Sequence, residues 1–239
     1  KDAYKPLYLI VACEELRVFG VFEKLKERIA KMTQTVPTLF DEVLQRLETD
    51  HGQDLVKRTM AFLAASRGGL LESEMLALLG EDPRNPLPQT TWSKLNRSLL
   101  SYLRPPGESG EGVLDFFHQQ LPKAVKRRYF TNNDGAAFTK KIHERLAIYF
   151  KLKADPEDDN LFSAGHRRGL SFLPYHLTVA AMWAKLRDTL CNLAFIESKC
   201  EMAMTYDLVA DYFFAISKKE TMPEKIFAEI DEWRAFVQQ

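Results

Sequence analysis

The sequence has no excess charge of either sign: 33 Lys and Arg stand against 33 Asp and Glu. A chain without a net field has nothing general to draw nucleic acid or an anionic membrane toward it. Cysteine is scarce as well. The three present, Cys13, Cys191 and Cys200, are odd in number and sit in apolar helical contexts. That argues against a disulfide framework and for small buried hydrophobes in a reduced compartment. No apolar run approaches the roughly 20 residues that cross a bilayer, and no signal peptide is visible. The expectation is a soluble, cytoplasmic protein with no membrane partner. There is no G-x-x-x-x-G-K-[ST], no Gly-rich dinucleotide loop, no C-x-x-C and no H-E-x-x-H, so no phosphate cradle or zinc site of those kinds is written here. Cys191 and Cys200 make a poor zinc pair, and a Cys200/His176 nucleophile would need residues that serve helix packing. No catalytic or metal site is expected.

What is present is helix. An apolar share of 46% over 239 residues can bury a substantial core. The organising stretch runs from Trp92 to Tyr129: a helix (91–100), a strand into Arg104, a turn from Pro105 to Gly110, a strand from Val113 to Phe117, and a helix starting at His118. Upstream, Leu55, Val56, Thr59, Phe62 and Leu63 share one helical face, broken by Gly68-Gly69. Ser73 then reads as the N-cap of a short helix (Met75, Leu76, Leu79) stopped by Gly80, and Thr90-Thr91 as caps of the next. Three short helices with a two-stranded wing make a winged helix-turn-helix.

Before this unit, Pro6 to Arg17 reads as a helix buried on most sides and closed by Gly20, an apolar start that looks cut from a longer chain. Phe22, Leu25, Ile29 and Met32 mark an amphipathic helix. Pro37 opens a third, with Leu39, Phe40, Val43, Leu44 and Leu47 inward and an end near Gly52. After the unit, the basic end Lys123, Lys126, Arg127 and Arg128 suits either a helix C-terminus or a phosphate-binding patch. Phe138, Ile142, Leu146 and Tyr149 mark a long helix, and the acidic run from Asp155 to Asn160 is a candidate subdomain boundary. Short amphipathic helices follow (170–180, 183–191, 195–203, 206–217, 223–239), as an α-solenoid arm is written.

The fold class expected is mainly α: a helical lid (1–52), a winged helix-turn-helix with a small β-ribbon (53–130), and an α-solenoid-like arm (131–239). DNA binding would need a basic outer face on the third helix, which offers only Lys94, Asn96 and Arg97. The wing carries Glu108 and Glu111, which phosphates would repel. His51, His143 and His166 fall beside turns or polar faces and read as solvated. His118 falls where a buried strand meets a helix start. It either caps or wedges that junction, or serves an anion gathered by helix-terminal amides.

Three segments resemble the signal-transduction NTPases with numerous domains, the STAND class that includes NACHT and NB-ARC proteins. Lys5-Pro6-Leu7-Tyr8-Leu9 with Glu14-Glu15-Leu16-Arg17 is similar to the segment following their ATPase core, where a proline lies against the nucleotide base. The Gly-Asn expected before that proline is replaced by Tyr4 and Lys5. Phe116-Phe117-His118-Gln119-Gln120-Leu121, running to Val125, resembles the segment closing their winged helix, where a histidine reaches the β-phosphate of ADP. Leu173-Pro174-Tyr175-His176-Leu177, with Trp183 and Leu186, resembles helices that join such a module to WD40 or TPR repeats. Residues 12–20 and 47–52 look most like NACHT–WD40 proteins of the telomerase-associated type. The resemblance implies a regulatory segment that is no enzyme by itself, in a full-length protein that is a slow NTPase. It implies no cofactor in this stretch, ADP or ATP in the full-length protein, and Pro6 and His118 as nucleotide contacts. Implied partners are the protein's own ATPase core, downstream repeats and proteins bound on activation. The alternatives are a winged-helix nucleic-acid regulator and a stand-alone helical scaffold.

Overall fold

A computed structural model describes residues 2–104, 112–131 and 134–238. Among these, the only β structure is a two-stranded antiparallel sheet with two isolated bridges; the rest of the regular structure is helical. The chain divides into two compact units, residues 1–136 and 137–239.

In the first unit, α1 (Pro6–Phe19) starts on a proline that needs no donor and stops at Gly20, in the left-handed region. It is not buried on most sides. Tyr8, Val11, Ala12 and Glu15 face inward, while Leu9, Ile10 and Val18 are about half exposed. A single 3₁₀ turn and α2 (Leu25–Lys31) carry the chain to α3 (Val36–His51), whose expected inner face, Leu39 to Leu47, is buried throughout. Only Gly52 separates α3 from α4 (Gln53–Ala65), and both pack on α7 (Gln120–Tyr129). Val43, Leu44, Leu47, Val56, Met60, Ala124 and Val125 are fully buried. Area of this kind, at about 25 cal/mol per Å², is what holds these helices together.

Between α4 and α7 lie β1 (Leu70–Leu71), α5 (Glu72–Leu79), α6 (Gln89–Leu99) and β2 (Val113–Leu114). β1 pairs with β2, Leu70 opposite Leu114, and just past the end of β2 Phe116 forms an isolated antiparallel bridge with Leu103. β1 is absent from the sequence reading. Its position is set by Gly69 (φ 70°), where a Cβ would lie 2.7 Å from the Leu114 carbonyl oxygen and against Val113. The cap of α5 is not Ser73: the Glu74 carboxylate accepts the Leu71 N–H at 2.8 Å, so the helix begins at Glu72. Thr90 and Thr91 lie inside α6 rather than capping it. The wing turn 105–110 and its Glu111, with the Asn132-Asn133 loop, fall outside the described residues.

The second unit holds most of α8 (Gly135–Ala154), then α9 (Arg167–Val179), α10 (Trp183–Leu190), α11 (Leu193–Glu201), α12 (Thr205–Ile216) and α13 (Glu224–Val237). α9 packs on α10 and α12, and α12 on α13. The acidic run 155–160 lies inside this unit and is no boundary: Asp155 is buried and accepts from Lys151 and the Asn160 N–H. Those donors, set against burial, hold its carboxyl below the usual range. Lys199 of α11 is fully buried between Asp207, at 2.8 Å, and Asp211 of α12. His143 is not solvated either. It is buried, its Nδ1 2.9 Å from Nδ1 of His176, which stacks on Phe150. Cys13 and Cys200 are exposed, contrary to expectation, and burial pushes the half-buried Cys191 thiol up to about 11.

Candidate functional site

His118 stands at the entry to α7, and its Nδ1 accepts the Gln120 N–H at 3.1 Å. That bond assigns the tautomer: in the neutral ring the proton sits on Nε2, which can donate outward to an anion without the ring being charged. His118 is exposed and helps line a cleft of about 80 Å³. α1 supplies Leu7, Ile10, Val11 and Glu14 to its wall, and Ser101 and Tyr102 stand opposite. Pro6, one residue before the lining Leu7, is exposed at the first position of α1 and is not among the lining residues.

A polar socket sits beside the cleft. Glu15, 2% exposed, accepts from Arg46 Nε at 2.9 Å and Nη2 at 2.8 Å, and from the Tyr102 hydroxyl at 2.6 Å. Burial and then the adjoining Glu15 charge push the Tyr102 hydroxyl well above its ordinary value. Burial works against the Arg46 charge, but the Glu15 carboxylate outweighs it and lifts the guanidinium further. Glu14 accepts from Arg17 at 2.6 Å and Ser101 at 2.8 Å; the Arg17 bond is the main reason its carboxyl is held low.

Lys126, Arg127 and Arg128 stand in the last turn of α7, as the helix C-terminus reading expects, and the two arginines are engaged by acids of α3. Arg127 bonds both Asp41 oxygens, at 2.9 and 2.7 Å, and Arg128 donates to Glu48 at 3.0 and 2.5 Å, with Tyr129 a further donor to the same carboxylate. Neither the Glu15 socket nor the Glu48 cluster was singled out in the sequence. Glu15 carried a signal: with Tyr8, Val11 and Ala12 it completes the inward stripe of α1, and a carboxylate there requires a cation. Among the described residues no group of His, Cys, Asp and Glu is placed to hold a metal ion. Nor is any helix among them long and apolar enough to cross a membrane.

Residues 139–239 match the family model described as the APAF-1 helical domain. The resemblance to the STAND class is borne out. Telomerase protein component 1 of Mus musculus is 27% identical over 98% of this chain, and a TPR repeat-containing protein of Dictyostelium discoideum is 26% identical over 97%. NACHT domain- and WD repeat-containing protein 1 of Homo sapiens is 31% identical over 61%. The chain spans only 10%, 13% and 10% of these relatives, respectively. No solved structure matches this STAND-like chain.

Proposed function

We propose that this chain is the regulatory lid (1–52), winged-helix (53–130) and arm (131–239) segment of a STAND-type nucleotide-dependent switch. In that reading it holds an ATPase core closed in the ADP state and links it to sensor repeats in the cytoplasm. The observation that supports it best is the cleft at His118, whose other wall is the helix opened by Pro6. An Nε2–H fixed by the Gln120 bond, beside the first amides of α7, is suited to a diphosphate oxygen. The order α4, β1, α5, α6, Leu103, β2, Phe116, with β1 paired to β2 and Leu103 bridged to Phe116, supports the winged-helix assignment. The WD and TPR repeats in the relatives' names support repeats as the arm's neighbours.

The cleft is far smaller than the roughly 300–1,000 Å³ of a ligand pocket, so most of the nucleotide's surroundings are assigned to the ATPase core. What this chain supplies is a differential contact. A histidine that reaches the diphosphate in the closed state alone biases the two-state equilibrium by the strength of that one bond. The test is His118→Ala in the full-length protein. ADP should dissociate about tenfold faster, as loss of one charge-assisted hydrogen bond implies. Unchanged ADP retention would reduce His118 to a capping residue.

A further inference from the structure

We propose that α1 is a releasable clasp, closed by the Glu15 socket onto a bundle of α3, α4 and α7 that keeps its fold when the clasp opens. The two seams differ in how much apolar contact backs their polar bonds. α7 also bonds Asp41 and Glu48 of α3, but behind those pairs α3, α4 and α7 share a fully buried apolar contact through Leu44, Leu47, Met60, Ala124 and Val125. Such a seam is proportional to area and yields only with the whole unit. α1 brings just Tyr8, Val11 and Ala12 as buried apolar side chains, and its outer face, Leu9, Ile10 and Val18, is half open.

Beside Val11 and Glu14 the cleft leaves the packing under α1 incomplete. What fastens the helix there is directional: two Arg46 nitrogens and the Tyr102 hydroxyl on one carboxylate, with Ser101 on the neighbouring Glu14. Directional bonds to a single anion are lost together once geometry fails. Gly20 in the left-handed region follows α1 at once, and α2 beyond it buries no residue. At its other end α1 stays tied to the start of α3, by the Tyr8 hydroxyl on the Thr33 carbonyl and by Asp2 on the Gln34 carbonyl and the Val36 N–H, so that end is the hinge and the socket end is the one that lifts. When α1 lifts, the wall of the His118 cleft lifts with it. The clasp is a property of this chain and does not rest on the nucleotide reading.

Native-state amide exchange tests it, with the intact chain and its Tyr102→Phe and Val125→Ala variants. In Tyr102→Phe, amides across 6–19 should exchange roughly tenfold faster while those of α4 and α7 keep their wild-type rates. Val125→Ala, a cavity in the bundle, should accelerate all three helices together. If Tyr102→Phe speeds α1, α4 and α7 by one common factor, or unfolds the chain, α1 is part of a single cooperative core and the proposal falls. Unchanged exchange in α1 overturns it equally.

Discussion

Arg128→Ala should destabilise the first unit by more than the value of a surface ion pair. The Glu48 side chain is only 9% exposed, and Arg128 supplies two of its hydrogen bonds, with Tyr129 a third donor. Removing one partner of a buried pair costs about 3–5 kcal/mol, because the remaining charge is left uncompensated. Here Tyr129 still donates and Arg128 is partly solvated, so about 2–3 kcal/mol is the reasoned loss. For a unit of this size that is a fall in Tm of roughly 5–10 °C by calorimetry.

The pH dependence follows in sign. Burial opposes the Glu48 charge, but Arg128 and Tyr129 outweigh it and hold the carboxyl below its ordinary 4.5. The stability it contributes is therefore complete above that value and is lost as pH falls beneath it toward the folded-state pKa. Wild-type and Arg128→Ala melting temperatures should converge in acid. Adding Glu48→Gln to Arg128→Ala removes the stranded charge and should restore part of the loss. A double variant no more stable than the single one, or curves that stay parallel in acid, would refute the account.

Gly69→Ala places a methyl group against Val113 and the Leu114 carbonyl at a positive φ, and should cost about 2–4 kcal/mol in denaturant unfolding. In iodoacetamide labelling near pH 8, the exposed Cys13 and Cys200 should react first, with Cys191, raised by burial to about 11, lagging well behind.

Most helices were legible because burial repeats along them. The inner face from Leu39 to Leu47 and the stops at Gly20, Gly52 and Gly80 are local properties, and the structure returns them within a residue or two. β1 was not legible: two leucines between a glycine and a helix have no period, and only pairing with Leu114 and Val113 makes them a strand. Glu74 displaced Ser73 as the capping group because a longer side chain reaches back to the Leu71 amide, which a list of preferred caps does not convey. The clusters at Glu15 and Glu48 join residues about 30 to 90 positions apart, and no local pattern specifies such a partner. His118 was found at a junction from its neighbours in sequence; that α1 forms the facing wall of its cleft comes from the tertiary structure alone.

Lys199 has a bearing on how the second unit assembles. Its ammonium has left water entirely and is matched by two acids one helical turn apart on α12, Asp207 and Asp211. Were α11 to slide along α12 by a turn, about 5.4 Å, that charge would keep one acid and meet Ala215, or the chain ahead of α12, in place of the other. The leucines and phenylalanines around it would accept several neighbouring alignments. The lysine accepts one, and so acts as the key that picks the correct docking of two helices out of the near misses.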